Sequence, residues 1–313
     1  MPFKKPVQKF NASINAVELG VGDKKIVIGG ENVYPFYTFD APIENAPKVG
    51  LEISDLGYAD QVPGISGFYA DCATIADMAK KAAAIEDVDF IALHLDSADP
   101  NETNAPVEDC VATAKAVCDA IDKPLVIIGC KNDEKDAALF SKVADALQGK
   151  NIVVLSAKEA NYKGIAASAG LAYNQKLGAE SAVDINLAKQ LNVLITQMGV
   201  APGSIVMNTG TAAAGYGFEY VVSTLDRVKA AALGQNDASL QMPIMTPVGS
   251  ETWGVKESIV EEADMPEWGS REQRGISMEV TSAAADLASG SNAVILRHPE
   301  SVAAVKKLIK ELI

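Results

Sequence analysis

The stretch Ser204–Tyr220, SIVMNTGTAAAGYGFEY, reads as a short β-branched strand, a loop of Gly, Thr and Ala, and the start of an amphipathic helix. A strand that enters a helix in this way is one unit of a parallel (βα)8 barrel. In that fold the loops at the C-terminal strand ends converge on one functional mouth, and the helices coat the outside. Asn208, Thr209, Gly210, Thr211, Gly215 and Tyr216 fall on the mouth in this reading. Small residues from Gly210 through Ala212 to Gly215 let backbone N–H groups approach a large flat or anionic partner. The plain alternative is a tight turn of low side-chain volume.

Working outward, the same unit recurs along the chain. Strands are predicted at Gly50–Asp55, Asp89–Leu95, Leu125–Gly129, Ile152–Ser156, Lys176–Glu180, Ser204–Asn208, Pro243–Thr246 and Asn292–Arg297. Helical periodicity follows each in turn, over 74–85, 107–121, 135–147, 161–171, 184–198, 218–233, 271–288 and 299–312. Eight strand–helix pairs with short, apolar strands favour a (βα)8 TIM barrel of the α/β class, with an open doubly wound sheet as the alternative. Upstream, Ser13–Leu19 and Lys25–Gly29 flank Gly-Val-Gly-Asp, a β-hairpin pattern expected to plug the bottom of the barrel. Asn32–Lys48 carries three prolines and four aromatics, too irregular for strand or helix. The chain is therefore read as one domain: residues 1–48 form a hairpin and aromatic arm, packed on its own barrel or on another subunit, and residues 49–313 form the barrel.

Composition narrows the function classes. A formal charge of −14 repels phosphate backbones and anionic lipid, and no Lys/Arg-rich run makes an exception, so nucleic acid is not an expected partner. No run approaches the length of a membrane span, and the N-terminal MPFKKPVQKF lacks the apolar core of an export signal, which points to a cytoplasmic chain. Cys72, Cys110, Cys118 and Cys130 show no CxxC spacing and read as free structural thiols. The glycine fingerprint of dinucleotide sites and the Walker loop are absent.

Several residues at strand ends are candidates for chemistry. IALHLDSAD brings His94, Asp96 and Asp99 to the mouth, where an imidazole beside carboxylates suits acid–base work or metal binding. The bland reading is a hydrogen-bonded mouth residue, and with two histidines in the chain a His-rich metal site is not expected. Lys158 follows a strand where an aldolase forms its Schiff base, although a lysine opening a surface helix is the commoner case. Glu180 ends its strand pointing at the mouth. The segment from Thr246 to Arg271 is the longest loop on this face, with Gly249, Ser250, Trp253 and Trp268 among acids. It is read as a lid or binding surface, with Trp253 facing a partner or a planar ligand.

Together KKIVIGGENVYPFYTFD, ALHLDSADP, MNTGTAAAGYGFEY and MTPVGSETWGVKES resemble the small subunit of the corrinoid iron–sulfur protein of anaerobic acetyl-CoA synthesis, over essentially the whole length. The resemblance implies a TIM-barrel subunit that pairs with a large subunit, the two sharing a cobalamin-type corrinoid. The large subunit would bring the [4Fe–4S] cluster and the main corrinoid domain. A methyltetrahydrofolate methyltransferase would supply the methyl group, and acetyl-CoA synthase/CO dehydrogenase would receive it. His94-Leu95-Asp96 does not supply the Asp-x-His-x-x-Gly pattern of a lower cobalt ligand, so no catalytic nucleophile and no metal ligand is assigned to this chain. Positional inference puts the corrinoid contacts at Asn208, Thr209, Gly210, Thr211, Ala212, Gly215, Tyr216, His94, Asp96, Glu180, Gly249, Ser250 and Trp253. The alternatives are an autonomous pterin-binding barrel methyltransferase and a class I aldolase acting through Lys158.

Overall fold

A computed structural model describes residues 6–59 and 61–313. The first five residues of the hairpin and arm unit and Asp60 lie outside the described residues. The chain begins with a hairpin, β1 (Val17–Leu19) antiparallel to β2 (Ile26–Ile28), joined through a 3-10 turn at Gly22–Lys24. Then come β3 (Lys48–Ser54), α1 (Pro63–Ser66), α2 (Ile75–Ala83), β4 (Phe90–His94), α3 (Val107–Ala120), β5 (Leu125–Ile128), α4 (Asp133–Ala146) and β6 (Val153–Ala157). The second half runs α5 (Tyr162–Ile165), β7 (Lys176–Glu180), α6 (Ile185–Gln197), β8 (Ile205–Asn208), α7 (Phe218–Lys229) and β9 (Met245–Thr246). It ends with α8 (Val248–Thr252), α9 (Lys256–Ile259), α10 (Arg271–Ser289), β10 (Ala293–Leu296) and α11 (Pro299–Leu312).

Eight parallel strands run in the order β8-β7-β6-β5-β4-β3-β10-β9. The ring is completed between β8 and β9 by one parallel bridge, Met207 to Ile244, with Met207 N–H donating to the Pro243 carbonyl at 2.8 Å. The fold is the (βα)8 barrel expected from the alternation, not an open sheet. The differences from expectation are local, and one is the helix predicted over 218–233, which is α-helical over Phe218–Lys229 and π-helical over Ala230–Gly234. The helix predicted over 161–171 is α-helical over Tyr162–Ile165 and π-helical over Ala166–Ala172. The stretch expected to be a continuous loop after β9 carries α8, α9 and a 3-10 turn at Pro266–Trp268.

Strand alternation divides the core in two. Phe90, Ala92, Val126, Ile128, Val153, Leu155, Val206, Met245, Ala293 and Ile295 fill the inside of the cylinder, together with Val17, Leu19 and Ile28 of the hairpin. Their neighbours in sequence, such as Ile91, Leu93, Ile127 and Val154, pack outward under the helices. Gly50 and Gly178 leave room inside, because an added Cβ would meet the Phe90 ring and the Leu155 side chain respectively. The hairpin sits at the N-terminal strand ends: Asn151, just before β6, donates to the Glu18 and Gly20 carbonyls at 2.9 and 3.1 Å.

The aromatic arm divides in the same way. Tyr34 and Phe36 pack on the core, and Phe10, Tyr34, Tyr37 and Phe39 follow one another at ring separations of 4.9, 6.1 and 4.9 Å. Lys229, buried in α7, pins the arm with its Nζ 2.6 Å from Glu31 Oε1 and 2.9 Å from Asn292 Oδ1.

Candidate functional site at the barrel mouth

The period of two that puts Phe90 and Ala92 inside the cylinder also puts His94 there, one step nearer the C-terminal end. The same parity brings Glu52 of β3, Glu180 of β7 and Asn208 of β8 inward, with Arg297 just past β10. The top of the barrel is therefore a polar layer over an apolar interior. Above it opens a cavity of about 290 Å3, lined by His94, Ser156, Lys158, Glu180, Asn208 and Thr211 together with Lys131, Asp136, Gly210, Ser250 and Glu251. Ser156 reaches this layer where the register of β6 on β7 skips between Val154 and Ala157.

Each charged group at the mouth already has a partner within the chain. His94 lies between two carboxylates, Nδ1 3.5 Å from Glu52 Oε1 and Nε2 3.1 Å from Asp96 Oδ1. Burial works against the imidazolium, but Glu52 and then Asp96 outweigh it, so the ring holds its proton above the ordinary histidine range. Glu52 is fully buried and also takes Arg297 Nη2 at 2.6 Å. Burial pushes the Glu180 carboxyl up while Lys158 pulls it back. Asn208 braces the layer, its Nδ2 donating to Ser156 Oγ at 2.9 Å and to Glu180 Oε2 at 3.4 Å, while its Oδ1 accepts from Gly210 N–H at 3.0 Å. Lys131 Nζ meets Glu251 Oε1 at 3.4 Å. Since β5 and β9 stand opposite each other in the ring, this exposed pair spans the mouth. It contributes at most about 1 kcal/mol and gives way easily.

Lys158 is not built as a Schiff-base lysine. Burial disfavours its charge, but Glu180 and Asp133, the latter at 3.2 Å, outweigh burial and raise its pKa, whereas imine formation needs a neutral amine. Borohydride added with a small ketone or aldehyde is expected to leave Lys158 unmodified by mass. A reduced adduct on Lys158 would restore the aldolase reading.

Of the residues singled out from sequence, His94, Glu180, Asn208, Gly210, Thr211 and Ser250 line the cavity. Thr209 is buried, with its carbonyl accepting Val183 N–H, and Ala212 packs on the core. Asp96 sits beside the layer, taking Ser54 Oγ at 2.5 Å. Gly215 and Tyr216 stand on the rim, Tyr216 being 46% exposed with its hydroxyl on Glu257 at 2.7 Å. Gly249 and Trp253 require correction. Gly249 is buried against Arg297, where an added Cβ would come 3.0 Å from its backbone nitrogen. Trp253 is turned into its own chain: it is 5% exposed and stacks on His298 with ring centres 5.7 Å apart. His298 in turn caps α11, its Nδ1 accepting Glu300 N–H at 3.1 Å, so its Nε2–H donates to Glu272 at 3.2 Å. Sequence reading missed Glu52, Arg297, Lys131 and Ser156. Glu52 left a signal, a lone acid inside the apolar strand KVGLEIS, since a buried carboxylate demands a buried partner.

A profile described as "CO dehydrogenase/acetyl-CoA synthase delta subunit" matches residues 16–298. The chain belongs to the CO dehydrogenase/acetyl-CoA synthase delta subunit family. Among relatives, it is 31% identical to "acetyl-CoA decarbonylase/synthase complex subunit delta 1" of Methanosarcina thermophila, across 98% of this chain and 70% of that protein. It is 29% identical to the subunit delta of Methanocaldococcus jannaschii, across the whole of this chain and 77% of that protein. The Archaeoglobus fulgidus subunit is also 29% identical, over 94% and 65%. Among solved structures, a dihydropteroate synthase of Xanthomonas albilineans with 4-aminobenzoic acid superposes with a TM-score of 0.58 at 12% identity, over 95% of this chain and 97% of that one. One from Yersinia pestis with a pterine–sulfa conjugate gives 0.55 at 12%, over 85% and 93%. At such identity the likeness speaks for the barrel fold alone. As a delta subunit of this family, the chain is one component of a complex. Among the described residues no helix is long and apolar enough to cross a membrane.

Proposed function

We propose that this delta-family chain is the small subunit of a heterodimeric corrinoid iron–sulfur methyl carrier, with its barrel mouth covering one face of the cofactor. One observation carries the reading: the charged side chains lining the cavity are engaged within the protein, His94, Lys131, Lys158 and Glu251 in ion pairs, Asp136 by the Cys130 N–H and Glu180 by Asn208, so the mouth is a layer of braced hydrogen-bonding groups. That suits a cover more than a reaction centre. The fit of a corrinoid is set by size. Sites that enclose a drug-sized molecule run from about 300 to 1,000 Å3, and a cavity of about 290 Å3 is too small for a macrocycle with its side arms. The cofactor would lie across the mouth, over Gly210, Thr211 and Ser250. When bound, it supplies the cobalt that accepts and releases the methyl group. The chain's part is to exclude water and to meet the amide arms with polar groups that would otherwise lose their hydrogen bonds.

In this reading the [4Fe–4S] cluster and the main corrinoid domain belong to the large subunit. The four cysteines here are free, and among the described residues no group of three or more His, Cys, Asp or Glu could hold a metal. A methyltetrahydrofolate methyltransferase and acetyl-CoA synthase/CO dehydrogenase are the proposed donor and acceptor partners, in the cytoplasm. Ultraviolet–visible spectra taken anaerobically test the assignment. Corrinoid bands are expected in the co-produced pair and weak or absent in the isolated chain. Turnover of methyltetrahydrofolate by the chain alone, with no corrinoid bands in the pair, would favour the pterin-binding methyltransferase instead.

A further inference from the structure

Helix α10 turns one polar stripe toward the barrel. Glu279, Ser282 and Asp286 are spaced three and four residues apart, so they share a face, and all three are buried. Glu279 accepts the backbone N–H groups of Arg297 and His298 at 2.6 and 3.2 Å. The other two hold the mouth loop: Ser282 Oγ accepts Ala214 N–H at 3.0 Å, and Asp286 Oδ2 accepts Thr211 Oγ1–H at 3.0 Å. Asp286 Oδ1 is buried with no partner.

Among the described residues, no cation pairs with Asp286. Lys229 of α7 is engaged by Glu31 and Asn292, while Asp226 and Arg227 of the same helix are exposed. Arg297 and His298, which lead into α11, go to Glu52 and Glu272, and Lys306 of α11 goes to Asp89. On the mouth side Glu251 of α8 meets Lys131, Lys256 of α9 lies over Trp268, and Glu257 takes Tyr216. At the far end of α10 itself, Arg271 reaches Glu261 and the Ser258 carbonyl, and Arg274 reaches the Glu257 and Gly269 carbonyls. A carboxylate served by one hydroxyl in such a place is poorly solvated. Burial accordingly pushes the Asp286 carboxyl up to about 8, against the pull of the Thr211 hydrogen bond.

We propose that Thr211–Ala214 is a proton-operated latch: the loop closes on α10 over a neutral Asp286 and opens with release of one proton. The O–H bond of the carboxyl breaks, the proton passes to water, and the carboxylate exchanges its single protein hydrogen bond for several from solvent. Opening is thereby favoured as pH rises from the ordinary carboxylate range toward 8, and it levels off above that. Asp286 is a positioning residue acting through Thr211, which lines the mouth cavity. The inference does not depend on the corrinoid reading, since it concerns the loop in the unliganded chain.

Hydrogen exchange of the Ala214 amide in the full chain reads the latch directly, once corrected for the intrinsic pH dependence of exchange. Between pH 5 and 8 the wild-type protection is expected to fall by roughly tenfold or more, as one-proton linkage requires, and to flatten above pH 8. Asp286→Asn keeps an acceptor for Thr211 but has no proton to lose, so its profile should be level. A level wild-type profile would overturn the latch without any variant. So would an Asp286→Asn profile with the wild-type slope.

Discussion

Replacing Arg297 with Met is expected to cost about 3 to 5 kcal/mol of folding stability, the usual penalty for leaving one member of a buried ion pair alone. Glu52 is 0% exposed, and burial alone would push its carboxyl up. Arg297 first and His94 second overrule burial and hold it at about 2. A folded-state pKa below the unfolded one contributes stability that is complete above the ordinary value of 4.5 and is lost as pH falls toward 2. In Arg297→Met, His94 stands 3.5 Å from Glu52 as its remaining ionic partner, burial prevails, and the carboxyl is easier to fold when protonated. Urea unfolding at neutral and acid pH should therefore show the gap between wild type and variant narrowing as pH drops below about 4.5. A gap that is constant across that range would mean that Glu52 is not the group left exposed to the loss.

Trp253→Ala should likewise destabilise the fold by about 3 to 5 kcal/mol, the range for deleting a buried large aromatic. The indole lies between His298, on which it stacks, and Gly275 of α10, where an added Cβ would run into its ring. Its removal opens a void under α8 and loosens the histidine that caps α11. Unfolding monitored by circular dichroism should shift, while the folded fraction still assembles with its partner. An unchanged unfolding midpoint with weakened assembly would return Trp253 to the partner-facing role that its loop position first suggested.

These two residues mark where reading from sequence succeeds and fails. The barrel is legible because period-two strands and 3.6-period helices are local patterns, and His94, Glu180 and Asn208 are found by the same parity at strand ends. Arg297 is not, because its partner Glu52 lies 245 residues away and pairing across the ring leaves no periodic trace. Trp253 misleads because a segment without periodicity gives no sign of which face is buried, and Gly275, which makes its slot, is on another element. Gly210 sits at φ +78°, so a bulky probe there would add backbone strain to volume.

Ser250 is the better probe, since it lines the cavity from α8 with its hydroxyl on the Pro247 carbonyl at 3.0 Å. Cobalt content per assembled pair, measured with Ser250→Trp in place of wild type and with far-ultraviolet circular dichroism on the same samples, tests the claim that the mouth covers the cofactor. The account predicts stoichiometric cobalt in the wild-type pair and a roughly tenfold loss of corrinoid affinity, equivalent to about 1.4 kcal/mol, in a folded, assembled variant. Undiminished cobalt in a folded and assembled Ser250→Trp pair would contradict it.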